Sequence, residues 1–378
     1  MKLKYGIAMA AIAGLVFVGC GDDPPATNNN PTTNNNNPTT NNNNPTTNNN
    51  NPTTNNNNPT TNNNNPTTNN NNPMPDVDPP KCSDPNPPAR CGESPDGYAW
   101  GTASIINTFA IAAGDEECCF DYNGDGVPDN ALGGILEAFG LPDINASIQD
   151  GIDSGSIALL LEHSGLTALT GGNFTINFWL GIWDGITELA QTGNTIAIDP
   201  VSIDAGTQPQ AYVPGATLTA AGAVTAGPGT ILLTLELLGT PLSLRISGAR
   251  VTASVDAANS SLDNGVSLNN GKLGGYVKVA DVMDAINLYA STCDCLGLNG
   301  GNLVNYNPAT VTATCATVTD TCAEGDTCST IATQCPTLAG VIGFIADVDA
   351  DGDGTEDALS IGATFTAAGA TITGVADN

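Results

Sequence analysis

Ser156-Ile157-Ala158-Leu159-Leu160-Leu161-Glu162 and Phe174-Thr175-Ile176-Asn177-Phe178-Trp179-Leu180 are two apolar runs of strand length, separated by a stretch containing Gly165, Gly171, Gly172 and Asn173. Runs that alternate or stay apolar for four to eight residues between turn formers read as strands. Outward from this pair the pattern recurs at 195–198, 216–220, 230–238, 242–246, 250–255, 341–346 and 358–373. This regular spacing predicts a mainly β fold with a few helices, an antiparallel β-sandwich or open barrel. The clearest helix is 279–290, where Val279, Val282, Met283, Ile286 and Tyr289 share one face and Asp281 and Asp284 the other. Two more helices are expected, over 131–139 and 103–112.

Composition narrows the function classes. The 378 residues carry a formal net charge of −30, with 8 Lys or Arg and 1 His. Such a chain does not hold nucleic acid or a bare anionic surface by charge. A single His leaves no multi-His zinc or iron site. From Gly92 onward the only basic residues are Arg245, Arg250, Lys272 and Lys278.

The N-terminus reads as an address. Lys2 and Lys4 precede an apolar run over 7–18, the layout of an export signal covering 1–19. Phe17-Val18-Gly19-Cys20 resembles a bacterial lipobox, with Phe17 where that family usually has an aliphatic residue. The resemblance implies cleavage before Cys20 and lipidation there, so that the membrane is a partner through the anchor, and Gly21 implies an outer-membrane, cell-surface location. Residues 27–73 repeat Asn-Asn-Asn-Asn-Pro-Thr-Thr without an apolar side chain. No core can offset backbone entropy there. Residues 20–80 are therefore expected to be a lipid-anchored, disordered low-complexity tether. It would reach ~190 Å if extended and ~40 Å as a coil. Residues 81–378 form the Cys-rich, β-rich domain.

After Cys20 ten cysteines remain: Cys82, Cys91, Cys118, Cys119, Cys293, Cys295, Cys315, Cys322, Cys328 and Cys335. An even number in an exported chain predicts five disulfides. The first four and the last six each form an even group that can close on itself. Cys118 and Cys119 are adjacent and are expected to reach other partners, as are Cys293 and Cys295. No Cys-x-x-Cys pair argues for zinc.

One chemical motif occurs twice. Asp121-Tyr122-Asn123-Gly124-Asp125-Gly126-Val127-Pro128-Asp129 and Asp349-Ala350-Asp351-Gly352-Asp353-Gly354-Thr355-Glu356-Asp357 both space acidic or amide side chains at alternate positions around Gly. Calcium takes six to eight oxygens at ~2.3–2.6 Å, and such a loop brings oxygens to one point. The candidate ligands are Asp121, Asn123, Asp125, Val127 through its carbonyl, and Asp129. In the second loop they are Asp349, Asp351, Asp353, Thr355 through its carbonyl, and Asp357. Both loops resemble those of EF-hands, dockerins and thrombospondin type 3 repeats. They depart at the twelfth position, where Leu132 and Ser360 replace the bidentate Glu. Glu116, Glu117 or Glu137 is the candidate replacement in the first loop and Asp347 in the second. Weak structural Ca²⁺, ~10⁻⁴–10⁻³ M, is the expectation. Cys-Cys-Phe-Asp-Tyr-Asn-Gly-Asp-Gly at 118–126 also resembles uncharacterised tethered lipoproteins of myxobacteria-like bacteria.

No catalytic residue is assigned. His163 is expected at a surface or strand edge. Trp179 and Trp183 are core residues or, in a carbohydrate-binding module, sugar platforms. Glu137, Glu162, Asp184, Glu188 and Glu236 are the carboxylates from which an envelope glycan hydrolase would draw a pair. The principal expectation is a non-enzymatic envelope lipoprotein that presents a calcium-stabilised domain, with an envelope glycan or another surface protein as partner.

Overall fold

The computed structural model describes residues 79–377 except 115–117, 139–140, 184–188, 191, 238–239, 320 and 324–326, and, beyond these, leaves the side chains of 137–138, 141–143, 233–237, 240–244 and 327 undescribed. The expected signal segment over 1–19, Cys20 and the repeat tract lie outside the described residues. So do Glu116, Glu117, Asp184 and Glu188, and the side chains of Glu137 and Glu236.

The fold is mainly β and antiparallel, the class the strand spacing predicts. The strands are β1 (Thr102–Ile111), β2 (Leu159–Ser164), β3 (Gly172–Ile182), β4 (Asn194–Ile198), β5 (Ala211–Leu218), β6 (Ala223–Leu237), β7 (Thr240–Val255), β8 (Leu268–Lys278), β9 (Val304–Asn307), β10 (Thr312–Cys315) and β11 (Ala358–Val375). Eight of the nine strands in the main sheet, β1-β2-β3-β5-β6-β7-β8-β11, follow one another as antiparallel neighbours. β11 then pairs with β1, from Thr102 opposite Thr371 to Ile111 opposite Ala363, and closes the sheet into a barrel. Closure pairs each strand of this ring on both sides among the described residues, so the ring itself offers no free edge to template aggregation. β4 lies outside this ring, parallel to the end of β11 and antiparallel to the end of β3.

Alternation along each strand divides the apolar residues between two cores. Ile106, Phe109, Leu161, Ile176, Phe178 and Phe365 belong to the buried cluster that fills the barrel. Within it an apolar void of about 10 Å³ lies between Ile106, Phe109, Leu159 and Phe178, space for about one water. Ile105, Leu160 and Trp179 point the other way. They pack outside the barrel wall with Ile196 and Ile198 of β4.

Four α-helices occur among the described residues: α1 (Ala131–Ala138), α2 (Leu141–Ser154), α3 (Val279–Ala290) and α4 (Thr327–Ile345). α3 has the predicted bounds. Two expectations are corrected. Residues 103–112 form β1, not a helix, because Ala103, Ser104, Ile105 and Ile106 are all buried and alternation is hidden until the bulge at Asn107. The run at 341–346 is not a strand: residues 341–345 are the end of α4.

All ten cysteines of the domain are paired. Cys82–Cys91, Cys293–Cys328, Cys295–Cys322 and Cys315–Cys335 close within their own groups. Cys118 and Cys119 bond to each other, contrary to the expectation that they reach elsewhere. Both sulfurs lie against the Ala363 carbonyl, and every other cysteine of the domain is engaged.

Candidate functional site

The two acidic loops adopt one hydrogen-bond scheme. In the second, Asp349 accepts from Gly352 N at 2.8 Å and from Gly354 N at 3.0 Å. Asp351 accepts from Asp353 N, Asp353 from Thr355 N, and Asp357 from Ala350 N. In the first, Asp121 accepts from Gly124 N and Gly126 N, Asn123 from Asp125 N, and Asp125 from Val127 N. Asp129 accepts from Tyr122 N, Asn123 N and the Asn123 amide. The last acid of each loop also donates its backbone N–H to the residue before the loop, Asp129 to Phe120 O and Asp357 to Val348 O. The loops bend at glycines with nearly equal positive φ, 81° and 92° at Gly124 and Gly126, 79° and 92° at Gly352 and Gly354. A Cβ is costly in that region.

This bending gathers charge. Carboxylate oxygens of Asp349, Asp351 and Asp353 lie within 4.8 Å of one another. Two ligands of one Ca²⁺ at ~2.4 Å can be separated by no more than ~4.8 Å, so these three meet the distance condition for a single ion. Burial raises the pKa of Asp129 and Asp357 above the usual carboxylate range.

The loops, distant in sequence, converge on the start of β11. The second runs directly into Ala358. The first leads into Asn130 and α1, which are fastened there by Gly362 N to Asn130 Oδ1 and Ala131 N to Ser360 Oγ. Tyr122 meets Tyr276 edge to face, and Val348, Ala350 and Ala358 complete this small apolar cluster. Neither twelfth-position residue offers a free ligand: Leu132 is buried, and the Ser360 hydroxyl donates to Asp347. Asp347 itself is engaged by the Ser360 N–H and hydroxyl, and burial pushes its pKa up to about 6.

The other candidates are structural. His163 is buried inside the barrel, not at a surface or edge, with its Nε2 2.7 Å from Ser104 Oγ. Ser104 spends its one proton on the Val266 carbonyl. His163 must then donate through Nε2–H, the reverse of a base that activates a serine. Its Nδ1 is buried without a partner among the described residues, and burial lowers its pKa to about 4. Glu162 is 1% exposed, and its carboxylate accepts from Arg90, Gly101 N, Asn177 and Trp179 Nε1. The Arg90 guanidinium lies 5.0 Å from the centre of the Tyr98 ring, with Trp100 and Trp179 next to it. This ion pair clamps the segment 82–101 to the barrel wall and leaves Glu162 no free oxygen for acid–base work. Trp179 is 1% exposed and belongs to the outer core; Trp183 is half-buried at its margin. The Arg90 clamp and the Ser104–His163 pair are invisible to spacing arguments, because their members come from separate strands and from the segment 82–101.

Compared with known proteins, the chain matches no family model, no curated protein and no solved structure.

Proposed function

We propose that this chain is an exported, lipid-anchored envelope protein whose barrel is a non-enzymatic structural or binding module stabilised by two Ca²⁺ ions. The observation that carries this reading is the repeated hydrogen-bond scheme of the two loops at the start of β11. The backbone N–H groups hold the side chains of positions one, three, five and nine. Further lone pairs of these side-chain oxygens and the seventh-position carbonyl would ligate a divalent ion whose charge offsets the repulsion between the carboxylates. With no acid at the twelfth position, water completes each shell, and affinity is low. Ten paired cysteines suit an oxidising, extracytoplasmic compartment. Cys20 and the Asn/Pro/Thr tract supply anchor and spacer in this reading, and the acidic surface excludes nucleic acid as partner.

Calorimetric titration of chelator-treated protein with calcium chloride tests the metal assignment. Two ions per chain are expected, bound at ~10⁻⁴–10⁻³ M and more tightly than magnesium. Absence of calcium uptake at millimolar concentration would remove it.

A further inference from the structure

α4 carries no Asp, Glu, Lys or Arg in 19 residues, in a chain with 38 acidic ones. By length and composition it is apolar enough to cross a membrane, yet little of it is buried. Thr333, Pro336, Thr337, Gly340, Val341 and Phe344 are exposed, and their i, i+3, i+4 spacing makes them one outward face. Phe344 is 89% exposed and Val341 40%. From this face we infer that α4 docks on a neutral phospholipid surface, with Val341 and Phe344 entering the boundary between headgroups and acyl chains.

The helix is pinned to the domain, so it lies on the bilayer and does not cross it. Its inner face buries Cys335 and Ile342, with Ile331, Leu338 and Ile345 packed against the core. The bridges Cys293–Cys328 and Cys315–Cys335 fasten its N-terminal half. Its C-terminal half sits so close to the turn after β9 that a Cβ at Gly343 would meet the Val311 carbonyl at 2.7 Å. Val341 and Phe344 are therefore presented on a rigid support, and docking orders little that is mobile.

Charge, area and reach select the occupant. A second copy fits poorly. The face from 333 to 344 is ~18 Å long and ~10 Å wide, so it covers ~180 Å², whereas a stable interface takes ~800 Å² from each partner. Two chains of net charge −30 also repel. An interfacial helix binds by its apolar area and by basic residues that attract anionic lipid. α4 has only the first, and the acidic loop at Asp349 follows it closely, so the lipid is neutral. The inference rests on the anchored reading of Cys20, in which residues 21–78 link the lipid to the domain. As a coil that length spans only ~40 Å. The bilayer is then present at high effective concentration, and a small patch suffices.

Tryptophan fluorescence of the full chain, purified from membranes and reconstituted in phosphatidylcholine vesicles, tests the inference. Phe344→Trp adds a fluorophore at the contact without touching the core. Its emission, above that of the three native tryptophans, should shift to the blue on vesicles. Phosphatidylcholine brominated ~5–10 Å below the headgroup boundary, the depth of an interfacial helix, should quench it. Val341→Gln in the same chain should cut that quenching severalfold. Leu262→Trp is the control: the site is exposed, and the adjacent Asp263 carbonyl accepts from Thr371 Oγ1, toward the end of β11 remote from α4. It should show neither effect. Labelled fatty acid at Cys20 tests the anchor separately, so the two readings can fail independently. Absence of quenching at position 344 overturns the docking whether or not Cys20 carries label. So does equal quenching at 344 and 262, quenching that rises with phosphatidylglycerol content, or a blue shift that needs no lipid and grows with protein concentration, the mark of a second copy.

Discussion

Gly362 N, in β11, donates to Asn130 Oδ1 at 2.9 Å, and this bond ties the exit of the first acidic loop to the strand that leaves the second. Asn130 is fully buried and fully engaged: its Oδ1 also accepts from Gly133 N, and its amide donates to the Ala112 and Gly114 carbonyls. Replacement by Ala orphans groups on three segments at once. Each buried unpaired group costs ~1–3 kcal/mol, so Asn130→Ala should destabilise the domain by about 3 kcal/mol or more in urea unfolding. A loss below about 0.5 kcal/mol, the scale of a neutral surface change, would show that this junction is not a fastening point.

Much of this architecture is legible in the sequence, and the failures have physical causes. The runs at 156–162, 174–180 and 358–373 read as strands because β2, β3 and β11 bury residues in both cores and so stay apolar over strand length. α3 reads as a helix because its apolar face keeps a helical period. β8 escapes notice because Gly271, Gly274 and Gly275 look like breakers. They are small because a Cβ at Gly271 would meet Phe365 at 2.6 Å, at Gly274 Phe120 at 2.6 Å, and at Gly275 Ile246 at 2.3 Å. The end of α4 misreads because a short apolar run is ambiguous in period; its helix is set by packing and by the bridges from Cys328 and Cys335. The acidic loops are legible because their geometry is local. The Arg90–Glu162 clamp is not, since its members come from the segment 82–101 and from β2.

The Arg90–Glu162 pair should be worth far more than a surface ion pair. Arg90→Met leaves the Glu162 charge buried without its cation. Breaking a buried pair in this way costs ~3–5 kcal/mol. Because the acid is shielded from solvent, the loss should persist at ~1 M salt, where the screening length falls to ~3 Å. Urea unfolding at low and high salt measures both. A small loss that vanishes with salt would mean that the clamp is a solvated contact.

His163 is the only histidine, so its imidazole resonance can be followed without assignment ambiguity. With a folded-state pKa of about 4 it should show no titration step between pH 8 and 5. The native state then binds fewer protons than the unfolded chain between pH ~4 and ~6.5. The stability held by the neutral ring is complete above pH ~6.5 and falls by about 3 kcal/mol as the pH drops to ~4. Relative to wild type, His163→Leu should lose this slope. A midpoint near 6.5 would place the ring in contact with water.

The bridge between Cys315 and Cys335 spans 20 residues and joins β10 to α4. Chain entropy assigns a loop of that length about 3 kcal/mol. The double Cys→Ala variant should lose an amount of that size in urea unfolding, and mass analysis after alkylation without reduction should find no free thiol in the wild-type domain. Alkylation of two or more cysteines would contradict the pairing scheme.

The central claim is that both loops stabilise the barrel by binding calcium. A ligand bound only by the folded state raises stability by ~2.7 kcal/mol per site at a hundredfold excess over its Kd. Thermal unfolding of wild type, Asp125→Ala and Asp353→Ala, each with chelator and with excess calcium, measures this directly. Calcium should raise the melting temperature of wild type, and each variant should keep only part of that rise. Without calcium the variants should melt no lower than wild type, since each has lost one repelling charge. Identical melting of all three proteins with and without calcium would contradict the account.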